Sequence, residues 1–235
     1  ITTKSRNVTI DDQDSSRSFT AQFANSNHST SDSATASNNG RSIIRDSDGR
    51  YHLVFESGNE IIYRRSNVGA TSWESSVRLS SLNGNNKCPS ITATNNKQFV
   101  VWQRYTGYSG GYYNYDTYLA KNTGSGWSTS TIANLCGLGF SSRTDPLPVI
   151  GYHSTPRLIV CVRTSDGIKY CTTDNEGTTW SSTSALPSSG SGDKNASLSD
   201  STTIPCTTIY AAYDDGSAVY YNTYNGSWGD RKSVV

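Results

Sequence analysis

Four of the five tryptophans recur at nearly constant spacing along this 235-residue chain. They are Trp73, Trp127, Trp180 and Trp228, and the intervals between them are 54, 53 and 48 residues. Each follows a short polar turn that contains glycine. A period of this size is typical of repeated units that bury their apolar faces by packing against one another. The spacing therefore predicts four tandem modules.

Each module contains four β-prone runs separated by turns. The expected first strands lie at residues 41–44, 89–93, 147–151 and 196–199. The second strands lie at residues 52–56, 98–103, 157–163 and 208–213. Third strands are centred on Tyr63, Tyr118, Tyr170 and Tyr220, and the fourth begin at the tryptophans. Four-stranded units of about 50 residues with no helical periodicity predict an all-β propeller of antiparallel blades, either complete or part of a larger one.

The first 39 residues do not match the repeat. Residues 7–10 and 18–23 are β-prone, and the Ser-, Asn- and Thr-rich residues 25–39 are typical of a linker. We expect a leader at 1–39, with a strand hairpin and a polar linker. The propeller repeats at 40–235 divide into modules at about 40–87, 88–144, 145–194 and 195–235.

Charge and composition exclude several classes of protein. The 20 Lys and Arg balance 19 Asp and Glu and are not clustered, so no nucleic-acid partner is expected. No apolar stretch is long enough to span a membrane. The sequence contains no Met, even at position 1, which is typical of a processed chain, and we expect a secreted or cell-surface protein.

Cys161 and Cys171 flank the turn Ser165-Asp166-Gly167. If that turn is a three-residue hairpin loop, the two cysteines lie opposite each other on neighbouring strands. A cross-strand disulfide and a pair of free thiols are both compatible with this pattern, because such bridges are often strained.

Residues 173–180 resemble the Asp-box of the sialidase-like β-propeller superfamily, whose pattern is Ser/Thr-x-Asp-x-Gly-x-Thr-Trp. The residues that carry the resemblance are Thr173, Asn175 in place of Asp, Gly177, Thr179 and Trp180. In the other three turns the Asp position holds Val68, Asn122 and Thr223. The resemblance implies a structural turn, with a side chain bonded to the turn's own backbone and a tryptophan packed between strands.

An active sialidase-like enzyme is expected to have three arginines that clamp a carboxylate, a Tyr nucleophile assisted by a Glu, and an acid/base Asp. Here the place of the family's Arg-Ile-Pro motif reads Arg41-Ser42-Ile43-Ile44-Arg45, without Pro and with different Arg spacing. Only Arg104 and Arg163 lie at the ends of second strands, and Arg45 is the remaining candidate. We therefore assign no catalytic residue and favour a binding module over an enzyme.

Polar side chains at the ends of second strands are the candidate ligand-binding groups. They are Gln103, Arg104, Arg163 and Tyr213, and they differ from module to module, which favours one site rather than four. An insertion at residues 106–115 adds Tyr108, Tyr112 and Tyr113 on a Gly-rich segment, a composition common in binding loops. A flexible hairpin tip is the alternative interpretation.

No cofactor and no metal site are expected. Asp11, Asp12 and Asp14 could ligate Ca²⁺, but they lack the spacing of an EF-hand and fit a solvated turn better. The function hypothesis is recognition of a glycan or a cell-surface protein, and further blades or domains of a longer chain are the other expected partners. The alternatives are a glycoside hydrolase whose site is completed outside this chain, and a structural module of a surface appendage.

Overall fold

A computed structural model of the chain describes residues 8–10, 17–19, 41–82, 84–94, 96–140, 147–154, 157–199 and 208–234. The expected linker at 25–39 and the aspartates at 11, 12 and 14 lie outside the described residues. Apart from one 3-10 turn at Ala133–Leu135, the regular elements of the described part are β-strands. In the leader, β1 (Val8–Ile10) pairs antiparallel with β2 (Arg17–Phe19).

The remaining strands form four antiparallel sheets, which are the blades of the predicted propeller. Blade 1 contains β3 (Ile43–Arg45), β4 (Tyr51–Ser57), β5 (Glu60–Arg65) and β6 (Val77–Arg78). Blade 2 contains β7 (Asn86–Ala93), β8 (Gln98–Ser109), β9 (Tyr112–Asn122), β10 (Trp127–Thr131) and the additional β11 (Leu138–Phe140). Blade 3 contains β12 (Val149–Ser154), β13 (Arg157–Thr164), β14 (Gly167–Thr173) and β15 (Ser184–Ala185). Blade 4 contains β16 (Lys194–Leu198), β17 (Ile209–Asp214), β18 (Val219–Tyr224) and β19 (Lys232–Ser233). The fold class expected from the tryptophan period is confirmed.

The blades are held together by three apolar cores, one between each consecutive pair. Side chains on a strand point alternately to the two faces of its sheet, so one strand can contribute to two cores. In β13, Leu158 and Val160 lie in the core shared with blade 2, whereas Ile159 and Cys161 lie in the core shared with blade 4. The core between blades 1 and 2 is built around Trp102.

Three of the four repeated tryptophans pack onto the blade that precedes their own. Trp127 of blade 2 meets the ring of Tyr63 of blade 1 edge-on, with 4.7 Å between ring centroids. Trp228 of blade 4 makes the same kind of contact with Tyr170 of blade 3 at 5.6 Å. Trp180 of blade 3 packs against the core shared with blade 2. Packing between blades is thus the role of these three side chains.

The outermost strands differ from the expectation that each begins at its tryptophan. This holds only for β10, which starts at Trp127. Trp73 and Trp228 each form a single isolated bridge, and the short outer strands of blades 1, 3 and 4 begin four residues after the tryptophan. Short outer strands leave little free edge for pairing with other chains.

The two candidate disulfide partners do not face each other. The hairpin between β13 and β14 has a two-residue turn, because Thr164 pairs with Gly167. This register places Cys161 opposite Tyr170 and Cys171 opposite Val160. The two thiols therefore lie in different cores on opposite faces of the sheet, both are free, and burial raises the pKa of each. The disulfide alternative is wrong because the loop is one residue shorter than it required.

Gly177 lies in the tight turn before Trp180, with φ +78°. A Cβ at this position would collide with the Leu119 side chain of blade 2. Gly69, in the corresponding turn of blade 1, has φ +80° but has nothing within 4 Å of the same position. A side chain at either glycine would strain the backbone, but only a side chain at Gly177 would also collide with a neighbouring blade.

Gly177→Ala is therefore expected to lower the free energy of unfolding by about 1–3 kcal/mol more than Gly69→Ala does, because only the first overpacks an interface between blades. Urea denaturation of both variants measures this difference. Equal losses of unfolding free energy in the two variants would show that Gly177 is not in close contact with blade 2.

Candidate functional site

The two ends of the blades carry different kinds of loop. Antiparallel order places the turns between second and third strands at one end, and the tryptophan turns at the other. Two contacts between blades 2 and 3 are consistent with this assignment of the ends. The backbone N–H of Leu147 donates to Gln103 Oε1 at 3.0 Å at the first end, and Lys97 forms an ion pair with Glu176 at the second. We name these the arm end and the box end.

The insertion in blade 2 forms an ordered β arm rather than an irregular loop. β8 and β9 continue to Ser109 and Tyr112 and are joined at Gly110 and Gly111, whose φ angles are +61° and +87°. Positive φ at both central residues is characteristic of a type I′ hairpin turn. The first residue of the partner strand β7, Asn86, pairs with Arg104. The last five residues of β8 therefore extend roughly 17 Å beyond β7, at about 3.3 Å per residue.

Five aromatic rings line one face of the arm. β11 adds a third strand by pairing with residues Tyr113–Tyr115 of β9. The cross-strand register aligns Tyr108, Tyr113 and Phe140 in one row, and Tyr105 and Tyr115 in the next. Ring centroids are 4.9 Å apart for Tyr108 and Tyr113, 5.5 Å for Tyr105 and Tyr115, and 5.8 Å for Tyr115 and Phe140. We name these five residues the aromatic ribbon.

The rings of the aromatic ribbon differ in exposure. Tyr115 in the inner row and Phe140 at one side of the outer row are buried, Tyr105 and Tyr113 are half-buried, and Tyr108 is 61% exposed. Tyr112 is also exposed, at 52%, but strand alternation places it on the other face of the arm. The arrangement gives a fixed base and an accessible aromatic surface.

The aromatic ribbon includes Tyr115, the last residue of the insertion, and two residues outside the insertion that the sequence analysis did not select, Tyr105 and Phe140. The alternation of tyrosines at 113 and 115 is the period-two signal of a strand face and could have indicated one face. The third strand could not have been found this way, since Phe140 pairs with a segment more than 20 residues earlier.

Two of the proposed ligand-binding residues are core residues. Gln103 is 1% exposed, and its side chain accepts the Leu147 N–H and so links blade 2 to blade 3. Tyr213 is 2% exposed and donates a hydrogen bond to Asn222 Oδ1 at 2.7 Å. Burial raises the pKa of Tyr213 to about 12. Both side chains are used in packing and in hydrogen bonds within the fold.

Arg104 and Arg163 are both at the arm end, but they point to different blades. Arg104 lies on the face of β8 turned toward blade 1, where its Nη1 donates to Tyr118 Oη at 3.3 Å. Arg163 follows Val162, which faces blade 2, and so lies on the face turned toward blade 4. Arg45 is at the box end, with its guanidinium 5.8 Å from the Tyr51 ring centroid. Within the described residues, these three arginines do not form a clamp.

The box turns bond mainly to themselves. In blade 3, Asn175 Oδ1 accepts the N–H of Thr179 at 2.8 Å, and Thr173 Oγ1 accepts the N–H of Gly177 at 3.0 Å. In blade 2, Asn122 Oδ1 accepts the N–H of Gly126 at 3.3 Å. In blade 1 the acceptor is Asn67, one residue before Val68. These side chains stabilise their own turns rather than offering groups to a ligand.

No helix in the described part of the chain is long and apolar enough to cross a membrane. The described residues also contain no group of three or more His, Cys, Asp or Glu side chains placed to hold a metal ion.

Comparison with known proteins identifies the fold. No protein-family model matches the chain, and no curated protein matches its sequence. Among solved structures, the Trypanosoma rangeli sialidase mutant that displays trans-sialidase activity superposes with a TM-score of 0.58 at 11% identity, covering 82% of this chain and 36% of that one. The NanB sialidase of Streptococcus pneumoniae gives 0.57 at 10% identity, covering 83% and 51%. A xylan β-1,4-xylosidase from Bacillus halodurans gives 0.53 at 12% identity, covering 82% and 41%.

These similarities show a sialidase-like β-propeller fold, and at such low identity they show the fold alone. The chain spans about half, or less, of the length of these three structures.

Proposed function

We propose that this chain is a carbohydrate-binding propeller module that acts outside the cell, and that the aromatic ribbon is its binding surface. The observation that carries the proposal is the pair of aromatic rows on a three-stranded arm, in which Tyr115 and Phe140 are buried and Tyr108 is open to solvent. Aromatic faces pack against the apolar faces of sugar rings, and a tyrosine hydroxyl can in addition bond a sugar hydroxyl. The similar solved structures are named as enzymes of sialosides and xylan, which supports a sugar as the partner.

The arm suits this role because its surface is already ordered. Three strands and a two-residue turn fix the backbone, and neighbouring rings restrict the rotamers of Tyr105 and Tyr113. A ligand that meets a preorganised surface loses less free energy in ordering it. Tyrosine also has few rotatable bonds for the area it presents.

Replacing Tyr108 and Tyr113 by Ser is expected to weaken binding to the best ligand on a glycan array by about 10- to 100-fold, because the two accessible rings of the outer row are lost. Tyr112→Ser is the matched control, since it removes an exposed tyrosine from the opposite face of the arm, and it is expected to change affinity less than about twofold. Titration calorimetry with that glycan measures both, and thermal melting shows whether the propeller is intact.

Unchanged affinity in the double variant, or an equal loss in Tyr112→Ser, would contradict the aromatic ribbon as the binding face. Loss of binding on altering Thr178 in the box turn would place the site at the opposite end of the blades.

A glycoside hydrolase completed by residues outside this chain is the second candidate, favoured by the glycosidases among the similar folds. The divergence of Arg104 and Arg163 argues against it, because carboxylate recognition requires convergent guanidinium groups.

The chain by itself is therefore expected to release neither sialic acid nor xylose from aryl glycosides. Continuous assay of the released aryl group checks this. Turnover that disappears in Arg163→Ala would establish the hydrolase instead.

A further inference from the structure

The turn before Trp228 differs from the other three tryptophan turns in how it uses its asparagine. In blades 1, 2 and 3 an asparagine side chain accepts a backbone N–H of its own turn, and these residues are Asn67, Asn122 and Asn175. In blade 4 the turn closes through the backbone, since the N–H of Asn225 donates to the Ser227 carbonyl at 3.3 Å. Within the described residues the Asn225 side chain has no hydrogen bond. Its amide therefore remains available.

The turn is also shorter than its counterpart in blade 1. The bridge between Tyr224 and Trp228 encloses residues 225–227, whereas the bridge between Ser66 and Trp73 encloses residues 67–72. A longer turn has more backbone groups to satisfy, and in blade 1 the side chain of Asn67 bonds two of its residues. The shorter turn of blade 4 thus releases its asparagine from a structural role.

The released asparagine begins an acceptor sequence for N-linked glycans, Asn-x-Ser. Asn225, Gly226 and Ser227 are all exposed. Nothing lies within 4 Å of the place where a Cβ of Gly226 would be, so the space beside the acceptor is open. None of the three asparagines that bond their own turns is followed two residues later by Ser or Thr. Availability of the amide and the acceptor sequence occur together in blade 4.

The exposure of this turn does not depend on where the chain ends. Blades 2 and 3 have a neighbour on each side, and residues 123–126 and 178–179 of their tryptophan turns are exposed nonetheless. These turns make their contacts with the preceding blade: Lys121 of blade 2 donates to the Glu176 carbonyl of blade 3 at 3.0 Å. The turn of blade 4 likewise leads into Trp228, which packs on Tyr170 of blade 3. A further blade after blade 4 would leave residues 225–227 open.

A second acceptor sequence, at residues 195–197, provides an internal contrast. It lies in β16, where Asn195 Nδ2 donates to Asp214 Oδ2 at 2.8 Å. The residue between its Asn and its Ser, Ala196, is buried. A glycan on Asn195 would compete with that hydrogen bond and lie against the first strand of the blade. The acceptor sequences that begin at residues 7 and 27 lie outside the described residues.

We propose that Asn225 carries an N-linked glycan, an inference that rests on the proposed location outside the cell. In the transfer, Asn225 Nδ2 forms a bond to the anomeric carbon of a lipid-linked oligosaccharide diphosphate. The bond from that carbon to the diphosphate oxygen breaks, its electron pair leaves with the lipid diphosphate, and the amide loses one proton to the transferase. The glycan then projects from the box end and leaves the aromatic ribbon, at the arm end, clear.

Secretion of the full chain from a eukaryotic cell, behind a cleavable signal peptide, tests this inference. Intact mass is measured before and after digestion with a peptide N-glycosidase. Ser227→Ala removes the acceptor sequence but keeps Asn225, and it is expected to lose the mass of one glycan. Ser227→Thr is the matched control, because it preserves the acceptor sequence and should retain that glycan. Asn195→Gln should retain it as well.

Equal glycan mass in the wild type and Ser227→Ala would overturn the inference, as would loss of a glycan in Asn195→Gln alone. Sugar binding is read separately on a glycan array, where Ser227→Ala should bind like the wild type because Ser227 is remote from the aromatic ribbon. A chain that lacks the glycan but binds the array contradicts this inference only. A chain that carries the glycan but binds no sugar supports this inference and contradicts the aromatic ribbon as a sugar site.

Discussion

The face-to-face packing of one blade on the next is the constraint on which the rest of this structure depends. Blade 3 shows why: Leu158, Ile159, Val160 and Cys161 are consecutive residues, and all are fully buried. A strand that is apolar on both faces cannot belong to an isolated sheet, because one face would remain in water. The sheet of blade 3 is stable because it lies between two neighbours, and Trp127, Trp180 and Trp228 each pack one sheet on its predecessor.

This constraint determines where a ligand can bind. Side chains on the faces of the inner blades are used in packing, as Gln103 and Tyr213 show, although both are polar and both lie near strand ends. Groups free to meet a partner must therefore lie at the blade ends or on elements that extend past them. The box end is occupied largely by turns that bond their own side chains, whereas the arm extends an aromatic face beyond the sheets. Because β8 and β9 extend a few residues past the sheets, aromatic side chains that would otherwise pack between blades are exposed on the arm.

The period of the tryptophans and the β-prone runs between them were sufficient to predict four antiparallel sheets. The directions of individual side chains were not predictable, because they depend on register, and a shift of one residue turns every side chain of a strand to the other face. The turn between β13 and β14 is an example: with two residues in place of three, it separates Cys161 from Cys171. Arg104 and Arg163 look equivalent in sequence for the same reason, yet they face blades 1 and 4.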